Sequence, residues 1–266
     1  MNFYIEKDYA DINYSGEELL SLIENNKVVV LRNYTLDKDP LAFFTKLTDK
    51  IGYNYAIDED LKTGKPTGQR WVDITYDPEV PDKYRSAPVA QPLHTDASYE
   101  AIHDNVQYFY CVSQAKLGGA TVFIDSNDIV QMLKYANEEE LLEKLLRTDV
   151  LFSKHKLNKT SKILWLEGED YHFNWNYFCI DKSNTATALK MVKDLHQFLE
   201  TRVVKSGLVT EALLTKNDVV FFNDERVLHG RNSFFATDKG QRSLNKGTLI
   251  LKSRLAKNPS FKKELA

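Results

Sequence analysis

Residues 218–231 read Asp218-Val219-Val220-Phe221-Phe222-Asn223-Asp224-Glu225-Arg226-Val227-Leu228-His229-Gly230-Arg231. A continuous apolar run, a polar turn and a second apolar run predict two buried strands, Asp218 to Asn223 and Val227 to Gly230. His229 stands where it can face inward, and Gly230 lets the backbone pass close to something. Taken alone, the stretch fits a core histidine satisfied by a backbone carbonyl equally well.

Working outward, strands are expected at Lys27 to Arg32, Arg70 to Thr75, Val106 to Ser113, Thr121 to Ile124, Asp149 to His155, Ser161 to Leu166, Tyr171 to Phe178 and Lys246 to Lys252. Helices are expected after the Ser15-Gly16-Glu17-Glu18 capping box, with Leu19, Leu20, Leu22 and Ile23 on its apolar face, and at Leu41 to Ile51, Asp128 to Arg147 and Thr185 to Lys205. Many short strands, a few helices and no βαβ rhythm point to a mainly β fold with helical decoration, for which a jelly-roll core is the natural candidate. No linker divides residues 1–266, so a single domain is expected. Residues 52–92 are long, aperiodic and rich in Pro, Gly, Asp and Tyr, which suits a lid over a site.

Composition excludes several classes. Hydrophobic residues make up 42% and aromatics 12%, enough for a packed core. A net charge of -3 gives no electrostatic case for nucleic acid or an anionic membrane. Cys111 and Cys179 are the two cysteines, too few for a disulfide framework, and a reducing compartment fits. The N-terminus lacks a leader's apolar segment and no run has the roughly 20 apolar residues of a membrane span. The expectation is a cytoplasmic protein acting on a small molecule, with neither nucleic acid nor membrane as partner.

Three further features bear on chemistry. His94-Thr95-Asp96 places an imidazole and a carboxylate two residues apart, on one face if the segment is a strand. Together with His229 this makes two histidines and one carboxylate, a set suited to iron, manganese or zinc. On its own spacing, His94 and Asp96 read more simply as ordinary residues at a loop–strand junction. Arg242, thirteen residues after His229, decides between these readings. A guanidinium is a planar fork for a carboxylate and is costly to bury without one. Thr121, after Gly118-Gly119-Ala120, can add a hydroxyl, although Thr is also simply a good strand residue.

With these pieces in order, the chain resembles the Fe(II)/2-oxoglutarate-dependent dioxygenases of the taurine dioxygenase, γ-butyrobetaine hydroxylase and clavaminate synthase group. The matching segments are His94-Thr95-Asp96, Gly118-Gly119-Ala120-Thr121, Asp218 to Asn223, Arg226-Val227-Leu228-His229-Gly230-Arg231 and Arg242. The resemblance implies a double-stranded β-helix with the metal between its sheets. It implies that His94, Asp96 and His229 are the catalytic Fe(II) ligands, and that Arg242, helped by Thr121, grips 2-oxoglutarate. It further implies O2 as second co-substrate, release of succinate and CO2, and hydroxylation of an unactivated C–H. Asp96 fills the position that halogenating relatives leave small, so oxygen transfer rather than chlorination is expected. The chain has Asn223-Asp224 where the family pattern has Asp-Asn, and residues before 90 match no pattern.

The substrate-facing candidates are Trp71, Asp73, Gln91, Ser98, Tyr99, Glu100, Trp175, Asn176 and Arg231. Acids that could hold an ammonium and an arginine that could hold a carboxylate suggest a free amino acid, a basic one among the options. A zinc hydrolase or a non-catalytic jelly-roll module is the competing reading, and neither needs a carboxylate clamp across the metal.

Overall fold

The run Val219–Phe222 is apolar at every position because both faces of its strand are covered. In the computed structural model, which describes residues 3–12, 15–35, 39–54, 67–81, 83–101 and 105–257 together with 56, 60 and 65, Val219 and Phe221 pack with Leu19, Ile23, Phe44 and Leu47 on one side. Val220 and Phe222 pack with Val28, Val30, Phe109 and Phe123 on the other. The Val28–Leu31 run alternates in the same way, Val29 and Leu31 outward to the helices and Val28 and Val30 inward.

In chain order the strands are β1 (Tyr4–Asp8), β2 (Val28–Arg32), β3 (Gly52–Asn54), β4 (Val72–Thr75), β5 (Gln91–His94), β6 (Val106–Ser113), β7 (Leu117–Gly118), β8 (Thr121–Asp125) and β9 (Asp149–Lys154). There follow β10 (Leu157–Lys162), β11 (Leu164–Glu167), β12 (Asp170–Phe173), β13 (Thr210–Ala212), β14 (Val219–Asn223), β15 (Val227–Arg231), β16 (Phe234–Phe235) and β17 (Ser243–Leu251). The helices are α1 (Gly16–Asn25), α2 (Pro40–Asp49), α3 (Ser126–Tyr135), α4 (Glu139–Arg147), α5 (Ala186–Phe198) and α6 (Lys252–Lys257). The larger sheet runs β1-β2-β14-β6-β17-β3, with β4 also on β17, and the smaller runs β13-β8-β15-β5. They enclose a shared apolar core of Phe109, Val220, Phe222 and Leu244 from one sheet and Phe123, Ala212 and Val227 from the other. Helices α1 and α2 cover the outside of the larger sheet, and α3 to α5 the outside of the smaller. This is the mainly β jelly-roll core with helical decoration that the sequence predicts.

The opening stretch crosses from one sheet to the other. The Asn223 side-chain oxygen accepts the N–H groups of Glu225 and Arg226 at 3.3 and 3.2 Å, which closes the turn between β14 and β15. His229 therefore lies in the smaller sheet, between β8 and β5. Gly230 explains itself there: a Cβ at this position would sit 2.6 Å from the Gln91 carbonyl oxygen.

Several expected elements differ in extent. Asp128 to Arg147 divides into α3 and α4 around Asn137, whose φ of 57° breaks the helix. Ser161 to Leu166 falls across β10 and β11, and Tyr171 to Phe178 is strand only to Phe173 before a 3-10 turn at Tyr177–Cys179. The last strand begins at Ser243 rather than Lys246, its polar residues anchored by Ser243 to Thr75 at 2.7 Å and Asn245 to Asp73 at 2.6 Å. Within 52–92, β3 and β4 join the larger sheet, while residues 55, 57–59, 61–64, 66 and 82 of the expected lid lie outside the described residues. Among the described residues, no helix is long and apolar enough to cross a membrane.

Gly230→Ala tests the close approach. The added methyl must displace the β5 backbone, and we expect a loss of about 1–3 kcal/mol, typical of overpacking. Urea denaturation of both proteins measures it, and equal midpoints would show that β5 can move aside freely.

Candidate active site

His229 pairs directly with His94 across β15 and β5, and their ring centroids are 4.3 Å apart. Asp96 reaches both, with Oδ1 3.7 Å from His94 Nε2 and Oδ2 3.6 Å from His229 Nε2. One ligand atom from each of the three lies within 4.8 Å of the others. Strand alternation does not place Asp96, because β5 ends at His94 and Ala97 already has a φ of 50°. Asp224, at the β14–β15 turn, holds it instead: its Oδ2 accepts the Asp96 backbone N–H at 2.7 Å.

The imidazoles are aimed from behind. His94 Nδ1 is 2.8 Å from the Pro92 carbonyl, which can only accept, so Nδ1 donates and Nε2 is turned toward the cavity. His229 Nδ1 lies 2.9 Å from Asp224 Oδ1. Burial pushes the His229 imidazole down to about 4, so the ring is neutral, as a metal ligand must be. Burial raises the Asp96 carboxyl, but Lys246 and the two histidines outweigh it and hold Asp96 well below the usual carboxylate range. Lys246 Nζ is 2.6 Å from Asp96 Oδ2. Burial, and then the nearby Asp96 charge, push Asp224 well above its ordinary value. The Gln91 amide nitrogen lies 3.1 Å from His94 Nε2. Two imidazoles and one ionised carboxylate converging on one space fit a divalent metal.

Arg242 lies across the same cavity, just ahead of β17 and 2% exposed. Its Nε and Nη2 donate to the Gly119 carbonyl at 3.2 and 3.1 Å, and the guanidinium lies over the Phe234 ring at 5.4 Å. Burial, together with the like charge of Arg231, pushes it down to about 9. Among the described residues no carboxylate pairs with it, so the site has a desolvated cation and room for an anion. Gly119 makes this possible: its φ is 80°, and a Cβ there would meet Arg242 Nε at 3.0 Å. Thr121, buried and opposite Arg231 in β8, lines the same cavity of about 950 Å³.

The taurine catabolism dioxygenase TauD, TfdA family matches residues 5–248. The chain belongs to this family. A search of curated proteins finds no match. Among solved structures, this TauD/TfdA family chain is similar to an asparagine oxygenase in complex with Fe(II), 2S,3S-3-hydroxyasparagine and succinate, with a TM-score of 0.71, 11% identity and 89% of this chain and 78% of that one covered. It is similar to PvcB from Pseudomonas aeruginosa, with a TM-score of 0.68, 15% identity and coverage of 95% and 87%. It is also similar to the non-haem iron oxygenase OrfP in complex with Fe and alpha-ketoglutaric acid, with a TM-score of 0.64, 13% identity and coverage of 92% and 82%.

In this TauD/TfdA family member, Gln91, Tyr99, Glu100 and Arg231 line the metal-side cavity. The other expected substrate-facing residues divide by local geometry. Val72 and Ile74 of β4 face the cavity, so alternation turns Trp71 and Asp73 away. Trp71 donates to Thr45 at 3.0 Å and packs edge-on against Tyr108, and Asp73 is exposed and bound to Asn245. Trp175 is fully buried in the core outside the smaller sheet, its backbone tied to Thr95. Ser98 is fully buried as well. Arg231 is a strut: Nη1 donates to Tyr84 O at 3.0 Å, and Nη2 donates to Ala87 O and Val89 O at 2.8 and 2.7 Å. The sequence reading missed Asp224, Lys246, Arg85 and Lys154. Lys246 had a signal, since Arg242, Leu244 and Lys246 alternate onto one face of a strand.

Arg242→Met separates stability from binding. Without co-substrate the variant should be more stable than wild type by about 1–4 kcal/mol, because an uncompensated buried charge is gone. The stabilisation that 2-oxoglutarate gives the wild type should disappear. Urea melts with and without 2-oxoglutarate read both effects; a less stable variant that keeps its 2-oxoglutarate shift would contradict the assignment.

Proposed function

We propose that this TauD/TfdA family member is an Fe(II)- and 2-oxoglutarate-dependent oxygenase. It hydroxylates an unactivated C–H of a small polar substrate, a free amino acid in the leading case. His94, Asp96 and His229 hold the iron. Arg242, with the Thr121 hydroxyl beside it, takes the distal carboxylate of 2-oxoglutarate. Bound iron supplies the oxidising chemistry that couples decarboxylation of 2-oxoglutarate by O2, to succinate and CO2, with oxygen insertion into the substrate.

The chain's own groups do the positioning. Pro92 orients the His94 imidazole from its Nδ1 side, which raises its quality as a ligand, and Asp224 lies against the Nδ1 side of His229. Lys246 holds one Asp96 oxygen and leaves the other for the metal. The apolar walls Val72, Ile74, Phe109 and Leu244 keep water from the space between the metal ligands and Arg242. Residues 1–266 act as one dioxygenase domain; of the expected lid 52–92, β3 and β4 belong to the larger sheet, and Val72, Ile74, Arg85 and Gln91 border the cavity, so a lid movement would fall to the segments between these strands.

The observation that carries this reading is Arg242, a buried guanidinium with no carboxylate partner among the described residues, facing two histidines and an aspartate. A zinc hydrolase would use the same three ligands but has no need of that clamp. The test is a screen of free amino acids for stimulated succinate formation, with product mass read alongside. One of them should raise succinate several-fold and gain one oxygen atom, with Fe(II) and not with Zn(II). Hydrolysis supported by Zn(II), with no succinate from any amino acid, would favour the alternative. Limited proteolysis tests the lid: cleavage within 52–92 should slow once iron, co-substrate and the stimulating amino acid are present. Equal cleavage in both states would count against it.

A further inference from the structure

Two cavities meet at His94 and Asp96. The first, described above, holds Arg242 and Thr121. The second, of about 770 Å³, shares Gln91, His94, Asp96, Ala97, Tyr99 and Lys154 with the first and then extends away from Arg242. Its own walls are Tyr84, Leu93, Tyr177, Phe178 and Cys179, with Asn176. We propose, on the basis of the oxygenase reading above, that this second cavity binds the primary substrate, and that the substrate is a carboxylate with an aromatic body, such as an aromatic amino acid, rather than a basic one.

Position is the first argument. With 2-oxoglutarate held toward Arg242, the second cavity still borders two of the three metal ligands, His94 and Asp96. A C–H bond can be brought to the metal from it without displacing the co-substrate.

The walls are the second argument. The Tyr84 and Phe178 rings stand 5.3 Å apart at a tilt of 43° and join residue 84 of the lid to the Tyr177–Cys179 turn. Tyr177 is stiffened from behind by stacking on His196 at 3.8 Å. Phe178 remains 59% exposed, a large ring beside a cavity with more than half of its surface uncovered. Flat rings gain from such walls through offset and edge contacts as well as burial.

Charge is the third argument. Among the described residues lining this second cavity, Lys154 is the lysine or arginine, and Asp96 is the carboxylate, already committed to the metal. Lys154 Nζ lies 3.0 Å from the Tyr99 hydroxyl and 5.0 Å from its ring centre. An ammonium and a phenol side by side offer two donors to one carboxylate. The second ammonium or guanidinium of a basic amino acid would instead meet a lysine here, with no acid but Asp96 among the described lining residues. Glu100 lines the first cavity, not the second, where it can receive the α-ammonium of an amino acid whose ring fills the second.

The experiment uses the anaerobic protein loaded with Fe(II) and 2-oxoglutarate. L-tyrosine, 3-phenylpropanoate, L-arginine and L-lysine are titrated in, and binding is read from the visible iron–2-oxoglutarate band and from thermal shift. The aromatic acids should bind at least about tenfold more tightly than the basic amino acids. Lys154→Met should weaken the aromatic acids by about tenfold or more, Lys154→Arg should restore them, and the 2-oxoglutarate affinity should hold in both. Phe178→Ala, at an exposed position that does not threaten folding, should weaken the aromatic acids as well. Tighter binding of arginine or lysine, or unchanged affinity in both Lys154→Met and Phe178→Ala, would overturn the inference. If Fe(II) and 2-oxoglutarate give no visible band, the oxygenase reading itself fails. If the band forms and the aromatic acids do not bind, only this inference fails.

Discussion

The register that sets His229 opposite His94 is the constraint on which the rest of the site depends. A strand slipped by one residue turns every side chain to the other face, and here that would send His229 into the helical core and bring Gly230 inward. Two features pin the register. Gly230 packs against the β5 backbone with no room for a Cβ, and β5 takes a bulge between its pairings to His229 and Arg231. From the opposing sheet, Asp224 reaches over at the β14–β15 turn to hold the Asp96 backbone and lies against the back of the His229 ring. The three converging groups are therefore held from both sheets at once, although only His94 and His229 lie on paired strands.

That arrangement accumulates buried charge. Asp96, Asp224, Lys246, Arg231 and Arg242 all sit within a few residues of one another in space, and four of them are under 10% exposed. Their partners are uneven. Arg231 is answered by three backbone carbonyls and Asp96 by Lys246, whereas Arg242 has one carbonyl and an aromatic face. An unevenness of this kind marks a site waiting for a ligand more than a core optimised for stability. The family match and the double-sheet fold agree with it.

Much of this was legible in the sequence, for identifiable reasons. The buried strands β2, β14 and β15 announced themselves as apolar runs, and the Ser15 cap is realised as a bond from the Glu18 N–H at 3.1 Å. His94, Asp96, His229, Thr121 and Arg242 stood out because metal and carboxylate chemistry restricts residue type tightly, and the fold gathers them around one cavity. Substrate-facing residues were harder, because the same types serve as struts and core. Trp175 looked like a binding residue and is a fully buried core residue, and Arg231 looked like a carboxylate grip and braces the 84–89 segment instead. Asp96 converges on the histidines through a turn and a contact from residue 224, a long-range effect that no local period encodes. Lys154 and Phe178 are far from the motif in sequence and meet it only through the packing of β9 and the Tyr177–Cys179 turn beside β5.

The central claim is that one cavity holds iron on His94, Asp96 and His229 and 2-oxoglutarate on Arg242. A crystal structure of the protein prepared anaerobically with Fe(II) and 2-oxoglutarate tests it most directly. The account predicts a metal bound by His94 Nε2, His229 Nε2 and one Asp96 oxygen, with the distal carboxylate of 2-oxoglutarate paired with the Arg242 guanidinium. A metal bound elsewhere, or a co-substrate whose distal carboxylate rests on Arg85, Lys154 or Lys246 while Arg242 keeps its bonds to Gly119 alone, would contradict it.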